Sequence, residues 1–181
     1  MRATSLLVCT CVIAMTAGAA AQQPASGSVS SAVKQNWDGV KRNIKDSAAQ
    51  MDEANYAFKP VDSVRTFGQI LAHVAGASYV FCAAAKGEKS PFSEDHFEKT
   101  ATGKAAIVKA VDDSIAYCDT AYAALTDASG AESVTLPFGM GTGPRSSPLI
   151  MNFGHLQEHY GNLVTYFRIK GMVPPSSARS R

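Results

Sequence analysis

The sequence has little net charge and no long apolar run beyond its first residues. Seventeen lysines and arginines stand against 15 aspartates and glutamates, giving a formal charge of +2, and no basic cluster is present. A nucleic-acid-binding surface requires such a cluster, and we therefore expect no nucleic-acid partner. A membrane-spanning helix needs about 20 consecutive apolar residues, and no such run occurs outside the N-terminus. We expect no membrane span in the mature chain.

The rest of the composition is that of one folded domain. The chain has 181 residues, of which 46% are apolar and 18% are charged. This length suits a single domain of ordinary size, and this balance of residues excludes an intrinsically disordered chain. We therefore expect one globular domain behind the N-terminal segment.

Residues 1–21 have the three parts of a secretory signal peptide. Arg2 supplies the positive start, residues 6–15 form the apolar run, and the three alanines at 19–21 give a small-residue cleavage site. Such a segment is removed on export. We expect cleavage after the last of these alanines and a periplasmic or secreted mature protein. Residues 22–31, rich in Pro, Ser, Gly and Ala, are expected to form a flexible leader.

Only four cysteines are present, and two of them lie within the predicted signal peptide. The mature chain keeps Cys82 and Cys118. Neither belongs to a Cys-x-x-Cys pair or another zinc-type spacing, so sulfur ligation of a metal is the poorer interpretation. An isolated pair in an oxidising compartment is typically a disulfide, and we predict that these two cysteines form one.

Four segments have the apolar periodicity of amphipathic helices. They cover residues 30–51, 66–86, 104–128 and 147–171, and a short extended piece lies at 134–138. Four helices without a convincing strand pattern predict an all-α fold, a four-helix bundle. We place the bundle at residues 32–175 and expect residues 176–181 to be a disordered tail.

Two of these helices have clear start and stop signals. Thr66 and Gln69 have the spacing of a capping box at the start of the second helix. Ser147 followed by Pro148 predicts an N-cap and first helical residue for the last helix, and Gly171 predicts its left-handed C-cap.

The histidines are the residues with the clearest chemical potential. His155 and His159 are four residues apart on the last helix, so their side chains share one face. His73 lies at the flank of the apolar stripe of the second helix and can face them in a bundle. Three neutral imidazoles form a divalent-metal site with an open coordination position. The alternative, hydrogen-bonded core histidines, is equally compatible with the spacing, and we expect His96, in a charged loop, to be solvated.

Residues 155–159 also have the His-x-x-Glu-His pattern of inverted zinc peptidases. Those enzymes need a further carboxylate ligand downstream, and no aspartate or glutamate follows His159 in this sequence. We therefore set the peptidase interpretation aside. Glu158 is a weak candidate for a carboxylate that supports the metal ligands from outside, and a plain surface residue is the alternative.

In its motifs the sequence resembles the DinB-like (YfiT-like) superfamily of metal-dependent enzymes. The matching stretches are residues 58–60, 64–74, 152–163 and 166–175. The family pattern is one histidine in the second helix and a His-x-x-x-His pair in the last, which His73, His155 and His159 match. The resemblance implies a four-helix bundle with a crossover and one divalent ion, commonly nickel or zinc. It is closest to the exported members, which tend to carry a cysteine pair.

The resemblance also limits the functions to be considered. Characterised relatives include S-transferases and isomerases that use the thiol cofactors mycothiol or bacillithiol, and many members have no known substrate. We expect a metal-dependent hydrolase or thiol transferase acting on a small molecule that the sequence does not identify. Export favours hydrolysis, because such thiol cofactors are cytosolic. A non-catalytic bundle that binds a metal or small ligand is the alternative, as are histidines without a function. A homodimer is compatible with the sequence.

Overall fold

The computed structural model describes residues 27–179, so the predicted signal peptide and half of the predicted leader lie outside the described residues. Seven helices and a two-stranded hairpin follow one another along this part of the chain. They are α1 (Val29–Gln50), α2 (Phe67–Lys86), α3 (His96–Thr100), α4 (Gly103–Ala124), α5 (Asp127–Gly130), β1 (Ser133–Thr135), β2 (Thr142–Pro144), α6 (Ser146–Ile169) and α7 (Pro175–Ala178).

The four long helices, α1, α2, α4 and α6, form a bundle. Both α1 and α2 pack against α4 and α6, so α1 and α2 lie at opposite corners. Lys34 near the start of α1 donates to the carbonyl of Ala123 near the end of α4, and these two helices are therefore antiparallel. In contrast, α2 and α4 run parallel, because their early residues Gly68 and Ile107 are neighbours. Residues 87–102 cross back between them. The predicted all-α four-helix bundle with a crossover is confirmed.

Local signals in the sequence fix both ends of α2. The side chain of Thr66 accepts a hydrogen bond from the backbone of Gln69, whose own side chain accepts one from the backbone of Thr66. Gly87 ends the helix in the left-handed conformation, at φ 73°. This helix is long and apolar enough to cross a membrane, but 83% of its most apolar window is buried inside the bundle. It is the central helix of the core.

Other helix ends differ from the sequence prediction. Helix α4 stops at Ala124 rather than at residue 128, because Thr126 and Ser129 form a second capping box that opens α5. Helix α6 begins at Ser146, two residues before the predicted first helical residue, and the predicted N-cap Ser147 lies inside it. The Ser146 hydroxyl instead donates to the carbonyl of Gly130 and ties the start of α6 to α5.

Both ends of the bundle extend into segments predicted to be flexible. Ser28 caps α1, which begins at Val29 inside the expected leader. The expected tail contains most of α7, which Tyr160 holds by donating its hydroxyl to the side chain of Ser176. Arg179 adds an ion pair with Asp46 of α1. The ordered domain is therefore longer at both ends than predicted.

A disulfide joins α2 to α4 in the middle of the core. It links Cys82 and Cys118, whose Cα atoms are 5.3 Å apart. The buried amide nitrogen of Asn152 on α6 lies 3.7 and 3.9 Å from the two sulfurs and 3.3 Å from the hydroxyl of Tyr122. Three of the four long helices thus meet at this point. A disulfide is typical of proteins in oxidising compartments.

Candidate metal centre

Three histidine side chains converge between α2 and α6. These helices are antiparallel, so His73 in the second turn of α2 faces His155 and His159 in the middle of α6. The Nε2 atom of His155 lies 3.1 Å from that of His73 and 3.2 Å from that of His159. The structure thus brings together the three histidines that the sequence singled out.

Their spacing is that of atoms bound to a common ion. Imidazole nitrogens lie about 2.0–2.1 Å from a bound zinc ion, which places two such ligands about 3–3.5 Å from each other. The three histidines each offer a ring nitrogen, and these atoms lie within 4.8 Å of one another. The group could therefore hold one divalent metal ion without rearranging the helices.

Burial keeps two of the rings neutral. It lowers the pKa of His155 to about 3 and that of His159 to about 4, with the neighbouring histidines adding to the effect. Metal binding requires neutral imidazole. The Nδ1 atoms of both rings are buried and have no hydrogen-bond partner among residues 27–179. A buried polar group without a partner is unfavourable, and an ion bound at the Nε2 atoms would leave these two Nδ1 atoms unpaired.

The outer side of His73 is held by a carboxylate and a guanidinium. Its Nδ1 atom lies 3.0 Å from an oxygen of Glu98 in α3, and Arg65 pairs with the other oxygen at 2.9 Å. Only 17% of the Glu98 side chain is exposed. A hydrogen bond at Nδ1 places the ring proton there and leaves the Nε2 lone pair directed at the centre, as is typical of metal-binding histidines.

The residues that support His73 differ from the residue that the sequence suggested. Glu158, the weak candidate, is exposed and makes no hydrogen bond or ion pair with a histidine in the described part of the chain. Sequence reasoning missed Glu98 and Arg65, because the position of Glu98 depends on the path of the connection between α2 and α4. His96 was expected to be solvated, but its ring is half-buried and stacks on Phe92, with ring centroids 4.5 Å apart.

A cleft of about 470 Å³ opens beside the centre. His159 forms part of its wall, together with Arg65, Glu158, Asn162 and Tyr166. The Tyr166 hydroxyl donates to the carbonyl of Arg65 at 2.6 Å and fixes the loop before α2 against α6. The cleft gives a small molecule access to His159.

A comparison with protein families assigns the bundle to a known superfamily. A sequence model of the DinB superfamily matches residues 37–163, which contain all three histidines. The chain belongs to the DinB superfamily. No protein with a curated description matches this DinB chain.

Solved structures of similar fold agree with this assignment. A DinB-like protein from Bacillus cereus has 16% identity and a TM-score of 0.63, covering 80% of this chain and 95% of that one. A DinB-like protein from Bacillus subtilis has 16% identity and a TM-score of 0.58, covering 78% and 93%. The mycothiol-dependent maleylpyruvate isomerase has 18% identity and a TM-score of 0.61 over 78% of this chain. This DinB chain spans 63% of the length of that isomerase.

Proposed function

We propose that this protein is an exported DinB-type enzyme that binds one divalent ion, zinc or nickel, through His73, His155 and His159. The reaction we propose is hydrolysis or thiol transfer on a small molecule. The observation that carries the proposal is that Nε2 of His155 lies 3.1 Å from that of His73 and 3.2 Å from that of His159, beside an open cleft. A divalent ion, when bound, lowers the pKa of a water or thiol toward neutrality and makes it a nucleophile at physiological pH.

The residues of this chain prepare the site for that chemistry. Glu98 holds the proton of His73 on Nδ1, and Arg65 holds Glu98 in place through its second oxygen. Burial keeps His155 and His159 neutral, so both offer a lone pair at physiological pH. The cleft along α6 brings the substrate to His159, and the apolar core behind the rings excludes water from the other side.

Export is supported by the predicted signal peptide and by the Cys82–Cys118 disulfide. The choice between the two reactions has support on both sides. Export separates the protein from cytosolic thiol cofactors and favours hydrolysis, whereas the mycothiol-dependent isomerase of similar fold favours thiol transfer. Comparing turnover of a thiol-adduct panel and an ester and amide panel by the metal-loaded protein separates them.

Non-catalytic metal binding is the second candidate function. The carboxylate of Glu94 lies 3.4 Å from Nε2 of His73. A fourth protein ligand at this position would close the coordination shell, which is typical of structural metal sites rather than catalytic ones.

The decisive experiment is metal analysis of tag-free protein recovered from its exported location, with two paired variants. We expect about one divalent ion per chain. His159→Ala should reduce metal affinity by orders of magnitude and leave the bundle folded. Leu163→Ala, a fully buried neighbour on α6, should keep the metal but lose about 2–5 kcal/mol of stability through a core cavity.

The opposite pattern would contradict the proposal. If His159→Ala unfolds the protein but the folded fraction binds metal normally, His159 is a core residue and not a ligand.

A further inference from the structure

The segment before α3 crosses α2 in direct contact with Gly76. A Cβ atom at this glycine would lie 2.0 Å from the carbonyl oxygen of Glu94 and 3.0 Å from that of Ser93. No side chain fits in that space, so the glycine is required for this close approach. Gly76 lies three residues after His73, on the same side of the helix. The contact therefore holds Glu94 over the histidine.

This placement directs the Glu94 carboxylate to the inner nitrogen of the ring. One oxygen lies 3.4 Å from Nε2 of His73, the atom that also faces His155 at 3.1 Å. Glu98 occupies the outer nitrogen, Nδ1. Among residues 27–179, no lysine or arginine lies within ion-pair distance of the Glu94 carboxylate. A carboxylate without a cationic partner thus points to the nitrogen that faces the centre.

The two contacts of His73 together favour a positive charge at the centre. When Nδ1 donates its proton to Glu98, the neutral ring has only a lone pair at Nε2. That lone pair and the Glu94 carboxylate are then both acceptors and repel each other at 3.4 Å. A cation between them removes the repulsion. The distance also matches the separation of about 3–3.5 Å between two ligands of one ion.

From these contacts we propose that Glu94 is a fourth protein ligand of the metal ion, and that external ligands displace it. This inference rests on the proposed metal site. The Glu94 side chain is 39% exposed, and it belongs to the connection between helices rather than to a core helix. Among residues 27–179 only the three histidine nitrogens lie within 4.8 Å of one another, so the Glu94 carboxylate reaches the ion by turning toward it. When it turns away, an external ligand takes its place.

The experiment compares wild-type mature protein with Glu94→Gln and with the matched control Glu158→Gln. Glu158 is an exposed carboxylate next to His159 in sequence, and it makes no hydrogen bond or ion pair with a histidine in the described part of the chain. Zinc affinity is measured by chelator competition, and the ligand set by the visible absorption spectrum of the cobalt(II) form. We expect Glu94→Gln to bind zinc at least about 10-fold more weakly, because loss of even an outer supporting residue costs about 10–100-fold.

The cobalt spectrum distinguishes ligation from a general charge effect. We expect Glu94→Gln to change its band positions and intensity and Glu158→Gln to leave them unchanged. An unchanged spectrum for Glu94→Gln overturns the proposal, whether or not its affinity falls. Wild-type protein that binds neither zinc nor cobalt overturns the proposed metal site itself, and this inference with it.

Discussion

Among the three histidines, His73 has its outer ring nitrogen engaged by a carboxylate, and that contact is open to test. We expect Glu98→Gln to weaken zinc affinity by about 10–100-fold. The neutral amide of glutamine has no negative charge to stabilise the His73 N–H or to pair with Arg65. Chelator competition on the purified protein measures the change. Asp95→Asn is the matched control, since Asp95 directly precedes the same short helix and pairs with the exposed Lys99. Equal affinity in the two variants would show that Glu98 only packs against the ring.

The histidines could be predicted from the sequence, whereas the carboxylates could not. Helical spacing alone places His155 and His159 on one face, and a bundle leaves few faces for His73 to meet. The positions of Glu94 and Glu98 depend on the path of the connection between α2 and α4. That path is set by a contact with Gly76, 18 residues away from Glu94 in sequence, which no local pattern reveals.

At the scale of elements, the disulfide is the covalent link between two parallel helices. Cys82 and Cys118 close a loop with a sequence separation of 36. In the chain-entropy model, closing a loop of this length destabilises the unfolded state by about 3–4 kcal/mol, because it lowers the conformational entropy of the unfolded chain. We expect reduction to lower the free energy of unfolding by about that amount, measured by denaturant titration with and without reductant.

The same prediction has a chemical control. The mature protein, unfolded without reductant, should show no reactive thiol. Two titratable thiols in that sample would refute the disulfide.

Helix ends were predictable where the capping residues are close in sequence and of the types usual for a capping box. Thr66 and Gln69 set the start of α2 correctly because their capping box needs no distant partner. The end of α4 was placed too late because its stop depends on a capping box closed by Ser129, where glutamate or glutamine is usual. The start of α6 depends on the Ser146 contact with Gly130, which the sequence does not show.

For the molecule as a whole, the neutral histidines make stability depend on pH. Burial lowers the pKa of His155 from 6.5 to about 3 and that of His159 from 6.5 to about 4. At a pH between the pKa of the unfolded chain and that of the folded chain, these histidines bind protons in the unfolded state and not in the folded state. In the metal-free protein, the contribution of these two histidines to the free energy of unfolding is therefore fully present above about pH 6.5. It is lost as the pH falls toward 4.

Thermal melting of the metal-free protein between pH 7.5 and about pH 4.5 tests this dependence. We expect the Tm to fall across that range, and to fall less in the double variant His155→Gln, His159→Gln. Carboxylates whose pKa is lowered, such as Asp127 hydrogen-bonded by the Ser30 backbone, act below that range. Equal pH dependence in the two proteins would mean that the rings are protonated in the folded state.

The crossing segment has a further consequence, which concerns the order in which parts of the protein open. The histidines belong to α2 and α6, whose core holds the disulfide and Asn152, so moving the three rings apart requires unfolding of the domain. Glu94 and Glu98 belong to a connection whose helix, α3, has five residues. Such a segment can detach at a small fraction of the global free energy. Exchange of ligands at the centre would then follow brief excursions of residues 87–102, on a time scale far shorter than that of unfolding.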